Sequence, residues 1–132
     1  MISVFNIFLP VKPVPASRPR VSRYGTYYGK TYAEFRKELY TELKKIKNKY
    51  KPTMDEHIVS LELICRKPKK PANDYPRGDV DNYAKGVLDG FTYANMFWED
   101  DIQVVGLYVS KRYQLEGEDY GIRVKVERLR EQ

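Results

Sequence analysis

Cysteine is almost missing from this chain. Cys65 is the only one, which excludes an intrachain disulfide framework and suits a reducing cytosol. Long apolar runs are missing too: none approaches the roughly 18 residues of a membrane span, so no membrane partner is expected. Met1 to Leu9 is apolar, yet it carries neither a basic leader nor a small-residue cleavage site, and the expected location is the cytoplasm. There is no internal repeat and no low-complexity tract. Histidine occurs once, as His57, and reads as incidental at a strand edge. Cys65 reads as a small core residue rather than a nucleophile.

What remains is ordinary globular material with an uneven charge. The chain has 132 residues, 42% of them hydrophobic and 32% charged. That predicts one domain spanning 1–132, long enough to bury a core unaided. The net charge is +6. From Lys12 to Lys51 there are twelve Lys/Arg against three acids, a local +9, and elsewhere twelve against fifteen, a local −3. A second basic run, Arg66-Lys67-Pro68-Lys69-Lys70, is followed by Arg77. Such asymmetry favours a polyanionic partner, because each neutralised phosphate releases counterions. The plain alternative is a solvated basic face.

The patterning predicts six elements. Ile2 to Leu9 reads as a buried strand, and Lys12 to Lys30, rich in Pro and Gly, as a long loop. Thr31 with Glu34 offers a capping box. Behind it Tyr32, Phe35, Leu39, Leu43, Ile46 and Tyr50 recur at helical spacing, and Pro52 stops continuation. Alternation at Val59, Leu61, Leu63 and Cys65 predicts a strand over 57–66. Asp81 is the expected cap of a second helix reaching about Tyr93, with Ala84, Val87, Leu88 and Phe91 facing inward. Ile102 to Tyr113 reads as a strand, Gly117 as a turn, and Ile122, Val124 and Val126 as the inner face of a last strand. The order β-α-β-α-β-β predicts an α+β domain whose mixed sheet is covered by two helices.

Acidic residues gather in two places within this basic protein. Asp79-Val80-Asp81-Asn82-Tyr83-Ala84-Lys85 surrounds the start of the second helix, and Asp100-Asp101 precedes the following strand. Carboxylates suit a hard cation such as Mg²⁺, which usually keeps waters and substrate phosphate oxygens as well. Asp79, Asp81 and Asp101 are the candidate ligands, with Asp100 as a fourth. Their mutual repulsion would be relieved by a cation that activates water and neutralises phosphate charge. Lys85, four residues after Asp81 and on its helix face, would stabilise charge developing on phosphate. Each residue also has a structural reading: Asp81 as a cap, Lys85 as its i+4 partner, Asp100-Asp101 as a turn.

The string Asp79 to Lys85, then Asp89-Gly90, then Asp100-Asp101-Ile102-Gln103-Val104, resembles the signature of the RusA-type Holliday junction resolvases. Pro15-Ala16-Ser17-Arg18-Pro19-Arg20, with Gly25, Tyr27 and Tyr28, is similar to that family's basic front segment. The likeness runs from Ile2 to Val126 in the same element order. It implies an endodeoxyribonuclease that nicks four-way DNA junctions in a Mg²⁺-dependent reaction, with Mn²⁺ as substitute. It also implies a homodimer, which suits a two-fold junction cut on opposing strands. By that likeness Asp79, Asp81 and Asp101 are the metal-binding catalytic acids, Asp100 is accessory, and Lys85 is the catalytic lysine.

Arg18, Arg20, Arg23, Lys67, Lys69, Lys70 and Arg77 flank the acids in loops and are the candidates for phosphate contacts. Tyr24, Tyr27 and Tyr28 are read as packing the loop in preference to stacking on bases, and Phe97 and Trp98 as core or interface. Competing readings are a nuclease for flaps, forks or single strands, a DNA-binding module without catalysis, and an RNA-binding accessory protein.

Overall fold

The architecture is taken from a computed structural model. It describes residues 2–17, 20–27 and 29–129, with the side chains of all of these except Ser3, Arg20, Thr26 and Tyr27. Strands β1 (Ile2–Leu9), β4 (His57–Cys65), β5 (Val104–Tyr113) and β6 (Gly121–Arg128) form one sheet in the order β1-β6-β4-β5. β6 runs antiparallel to both neighbours, whereas β4 and β5 are parallel. A parallel pair needs a crossover, and helix α2 (Val80–Tyr93) supplies it. Helix α1 (Lys30–Lys44) lies beside α2. The expected β-α-β-α-β-β order and mixed sheet are therefore present, with one addition. The expected loop over Lys12 to Lys30 contains a small hairpin, β2 (Arg20–Ser22) and β3 (Gly25–Tyr27). Gly25, at φ 122°, makes its tight return possible.

Both helices cover one sheet face. Val59, Leu61 and Leu63 of β4 and Ile122, Val124 and Val126 of β6 alternate inward against Tyr32, Phe35, Leu39 and Leu43 of α1 and Tyr83, Ala84, Val87 and Phe91 of α2. Period-two strands thus meet period-3.6 helices in one core. Gly90 lets the helices approach, since a Cβ there would run into the Leu39 side chain. The opposite face is polar, with Glu62 bridging to Arg123 at 3.2 Å.

Several local expectations change. α1 begins at Lys30 with Gly29 as its N-cap, and no side chain caps it. Thr31 lies inside the first turn, so the Thr31–Glu34 box is absent. The helix ends at Lys44; Ile46 and Tyr50 still pack on the core, around a 3-10 turn at Lys47–Lys49. Asp79, not Asp81, is the N-cap of α2, again without a side-chain cap. Residues 101–103 form a 3-10 turn, so β5 starts at Val104. His57 stands at the end of its strand, as read, and is the first residue of β4; but β4 is an inner strand, and the imidazole is 1% exposed, packed edge-on to Trp98. Its Nδ1 lies 2.9 Å from the Asp55 carbonyl, which can only accept, so the ring carries its proton there. Burial holds His57 below the usual imidazole range. Cys65, Phe97 and Trp98 are buried, as read.

Candidate active site

Two loops deliver the acids. The first, Arg66 to Gly78, leads from β4 into α2. It is exposed over most of its length and is held at its ends by side chains of other elements. At its start Gln114 Oε1 accepts the Lys67 N–H at 3.1 Å. At its end three successive carbonyls are taken: Lys111 Nζ donates to Pro76 and Gly78 at 2.8 and 2.6 Å, and the Tyr83 hydroxyl donates to Arg77 at 2.6 Å. Burial beside Cys65 pushes the Tyr83 phenol well up, so it stays a donor. Gly78 adopts φ 97°, and a Cβ there would press on Pro15 and Tyr83 at 3.1 Å. The chain thereby turns sharply at the residue before Asp79. The Ala16 N–H donates to the Asn82 carbonyl at 2.9 Å and ties the front segment to the same helix start.

The second loop, Ala94 to Gln103, is anchored from below. Met96, Phe97 and Trp98 are at most 1% exposed, and Trp98 Nε1 donates to Thr92 Oγ1 at 2.8 Å. Asn95 and Phe97 adopt φ 56° and 66°. Asparagine tolerates that region, but phenylalanine does so at a strain of roughly 1–3 kcal/mol, offset here by its burial among Phe5, Tyr50 and Phe91. Gln103 locks the rim. Its Oε1 accepts from the N–H groups of Glu99 and Asp100, and its Nε2 donates to the carbonyls of Thr53 and Asp55 at 2.8 Å each. Asp100 Oδ1 accepts the Ile102 N–H at 3.1 Å, completing a capping box.

Asp81, Lys85 and Asp89 stand at successive i+4 positions of α2. Lys85 pairs with Asp89 at 3.8 Å rather than with Asp81, and both side chains are well exposed, so the pair adds little stability. Asp101 belongs to this group. Partial burial, a hydrogen bond with Asp100, and the charges of Asp100 and Asp89 hold its carboxyl above the ordinary range, while Lys85 pulls it down. The fold thus brings together Asp89, Asp100, Asp101 and Lys85. It places Asp79 and Asp81 at the exposed first turn of α2, where neither forms an ion pair or side-chain hydrogen bond with that group. Among the described residues no three acidic, histidine or cysteine side chains are gathered closely enough to hold a metal ion as they stand. The donor chemistry nonetheless fits Mg²⁺, which commonly takes one or two carboxylates and fills its sphere with water and phosphate oxygens. The repulsion around Asp101 is of the kind that a cation relieves.

Of the basic candidates, Lys67, Lys69 and Arg77 line one cavity. Lys70 is exposed but does not line it, and Arg23 lies in the β2–β3 turn with its guanidinium 4.9 Å from the Tyr24 ring centre. Arg18 and Tyr28 lie outside the described residues, as do the side chains of Arg20 and Tyr27. Sequence reasoning missed Lys111 and gave no role to Asp89, Lys12, Arg66, Tyr83 or Gln103. Lys111 left a legible signal: it follows Val109, which packs on the core, by two strand positions, in register with buried Leu63.

A two-layer α+β domain with an acidic helix stripe beside a cationic cavity has the layout of a protein that handles nucleic acid. Residues 10–127 match the family model described as endodeoxyribonuclease RusA, and the chain belongs to that family. No curated protein matches it.

Proposed function

We propose that this protein is a Mg²⁺-dependent, structure-specific endodeoxyribonuclease that nicks four-way DNA junctions in recombination and repair, acting in the cytoplasm as a homodimer. The reading is carried by one observation: in a chain of the RusA family, Lys85 and Asp89 of α2 meet Asp101 and Asp100. Asp79, Asp81 and Asp101 would hold the cation, with Asp100 as accessory and Mn²⁺ as substitute. When bound, the cation supplies a nucleophilic water near neutral pH and charge neutralisation on phosphate. Lys85, only weakly paired, turns its ammonium to a phosphate oxygen, a role that stabilises charge as the bond breaks. The cationic loops keep the backbone in register. Edge strand β5 exposes Val105, Leu107 and Tyr108, which supports contact with a second copy, and a two-fold junction needs two related active sites.

The test is a synthetic four-way junction incubated with and without Mg²⁺. Wild-type protein is expected to cut it only with metal, and Asp81→Asn to cut at least ~10²-fold more slowly. Equal rates would refute the assignment of Asp81. Flaps and forks run alongside separate this reading from its rival, since a preference for the junction under a few-fold favours a general branched-DNA nuclease. Saturating Mg²⁺ should also raise the melting temperature, because a ligand of the folded state stabilises it by mass action.

A further inference from the structure

A cavity of about 560 Å³ opens beside the first loop, within the size range of ligand pockets. Among the described residues five cations rim it, Lys12, Arg66, Lys67, Lys69 and Arg77, and no acidic side chain lines it. Its floor is of another character, with buried Pro13, Pro76 and Tyr83 and half-buried Tyr113. It lies past the carboxyl ends of β4 and β5, since Cys65 and Tyr113 close those strands and both line it. The crevice beyond the carboxyl ends of parallel strands is where open α/β sheets receive ligands. Thr31, in the first turn of α1, completes the wall. Arg77 belongs to both worlds: it lines the cavity, its carbonyl is held by Tyr83, and Asp79 follows two residues later.

A duplex backbone calls for cations on an open surface and has no use for a recessed apolar floor. A single nucleotide drawn out of the stack presents a flat base and flanking phosphates together, which is what this cavity matches. We infer that it receives one unpaired nucleotide of the DNA substrate, the base against Tyr113 and the prolines and the phosphates against the cationic rim. The inference rests on the nuclease reading above and deepens it. The enzyme selects its cut site by where the branched DNA can surrender a base.

The experiment is a binding cycle, run without divalent metal so that no strand is cut. Each nucleotide flanking the cleaved bond of a four-way junction is replaced in turn by an abasic residue. Each junction is then titrated against the wild-type chain and against Thr31→Trp, which fills the cavity from an exposed helix position. One abasic position is expected to weaken wild-type binding roughly tenfold, the loss of one stacked base. Thr31→Trp should bind the intact junction roughly tenfold more weakly and lose nothing further at that position. An abasic penalty equal in both proteins would overturn the inference, as would no penalty anywhere on a junction that is bound and, with Mg²⁺, cut. A junction neither bound nor cut would bring down the nuclease reading and this inference with it. If Thr31→Trp melts early, Arg66→Glu combined with Lys69→Glu on the exposed rim runs the same cycle.

Discussion

The two loops that carry the acids are built on opposite principles. The loop before Asp79 is polar and is gripped from outside, its carbonyls held by Lys111 and Tyr83. The loop before Asp100 is gripped from below, with Met96, Phe97 and Trp98 sunk in the core and Gln103 fastening the rim. Burial of large side chains carries several kcal/mol, whereas hydrogen bonds at a half-exposed clamp carry about one each. Damage to the anchors of the second loop should therefore show as lost stability, and damage to the clamp on the first as lost activity in a protein that remains folded.

The strongest way to break this comparison is Trp98→Ala, which opens a void beneath the second loop and should lower stability by about 3–5 kcal/mol, read by urea unfolding. A loss under 1 kcal/mol would mean that the loop is not anchored by its aromatics. Next comes Gln103→Leu, which takes the amide from the Glu99 and Asp100 N–H groups and the Thr53 carbonyl, while the Asp55 carbonyl keeps His57. A loss of about 2–3 kcal/mol is expected, and a neutral result would mean that water replaces the amide. Lys111→Met keeps the stem but frees the Pro76 and Gly78 carbonyls. Stability should fall by only about 1–2 kcal/mol, while junction cleavage falls ~10²-fold through misplacement of Asp79. Proportional losses of both would erase the proposed difference between the loops. The smallest effect has the opposite sign. Asp101→Asn removes repulsion with Asp100 and Asp89 and should stabilise the metal-free protein by up to about 1 kcal/mol, seen as a raised melting temperature, while abolishing cleavage.

Much of the fold was legible because it rests on periodicity. The alternation of Val59, Leu61 and Leu63 and the helical recurrence of Tyr32, Phe35, Leu39 and Leu43 are local signals, and each places its residues in the core. Helix starts were less legible. Thr31 and Asp81 are good caps by type, yet the N-caps are Gly29 and Asp79, two residues earlier in each case; ahead of Asp79 the loop carbonyls are held by the distant Lys111 and by Tyr83. The Asp79–Lys85 and Asp100–Asp101 motifs stood out in the chain, but their partners did not. The Lys85–Asp89 pair is a local i,i+4 contact, but that Lys85 and Asp89 face Asp101 depends on how α2 lies against the start of β5.

The order of amino acids alone determined which stretches are strands and helices, which faces are apolar, and that acids and cations occupy separate segments, since these follow from neighbours a few positions apart. Only the tertiary structure decided that one lysine of β5 holds the loop ahead of Asp79, and that cations from β1's exit, β4's end and the following loop rim one apolar hollow. Those meetings join residues dozens of positions apart, and their geometry is set by strand order and register rather than by any local pattern.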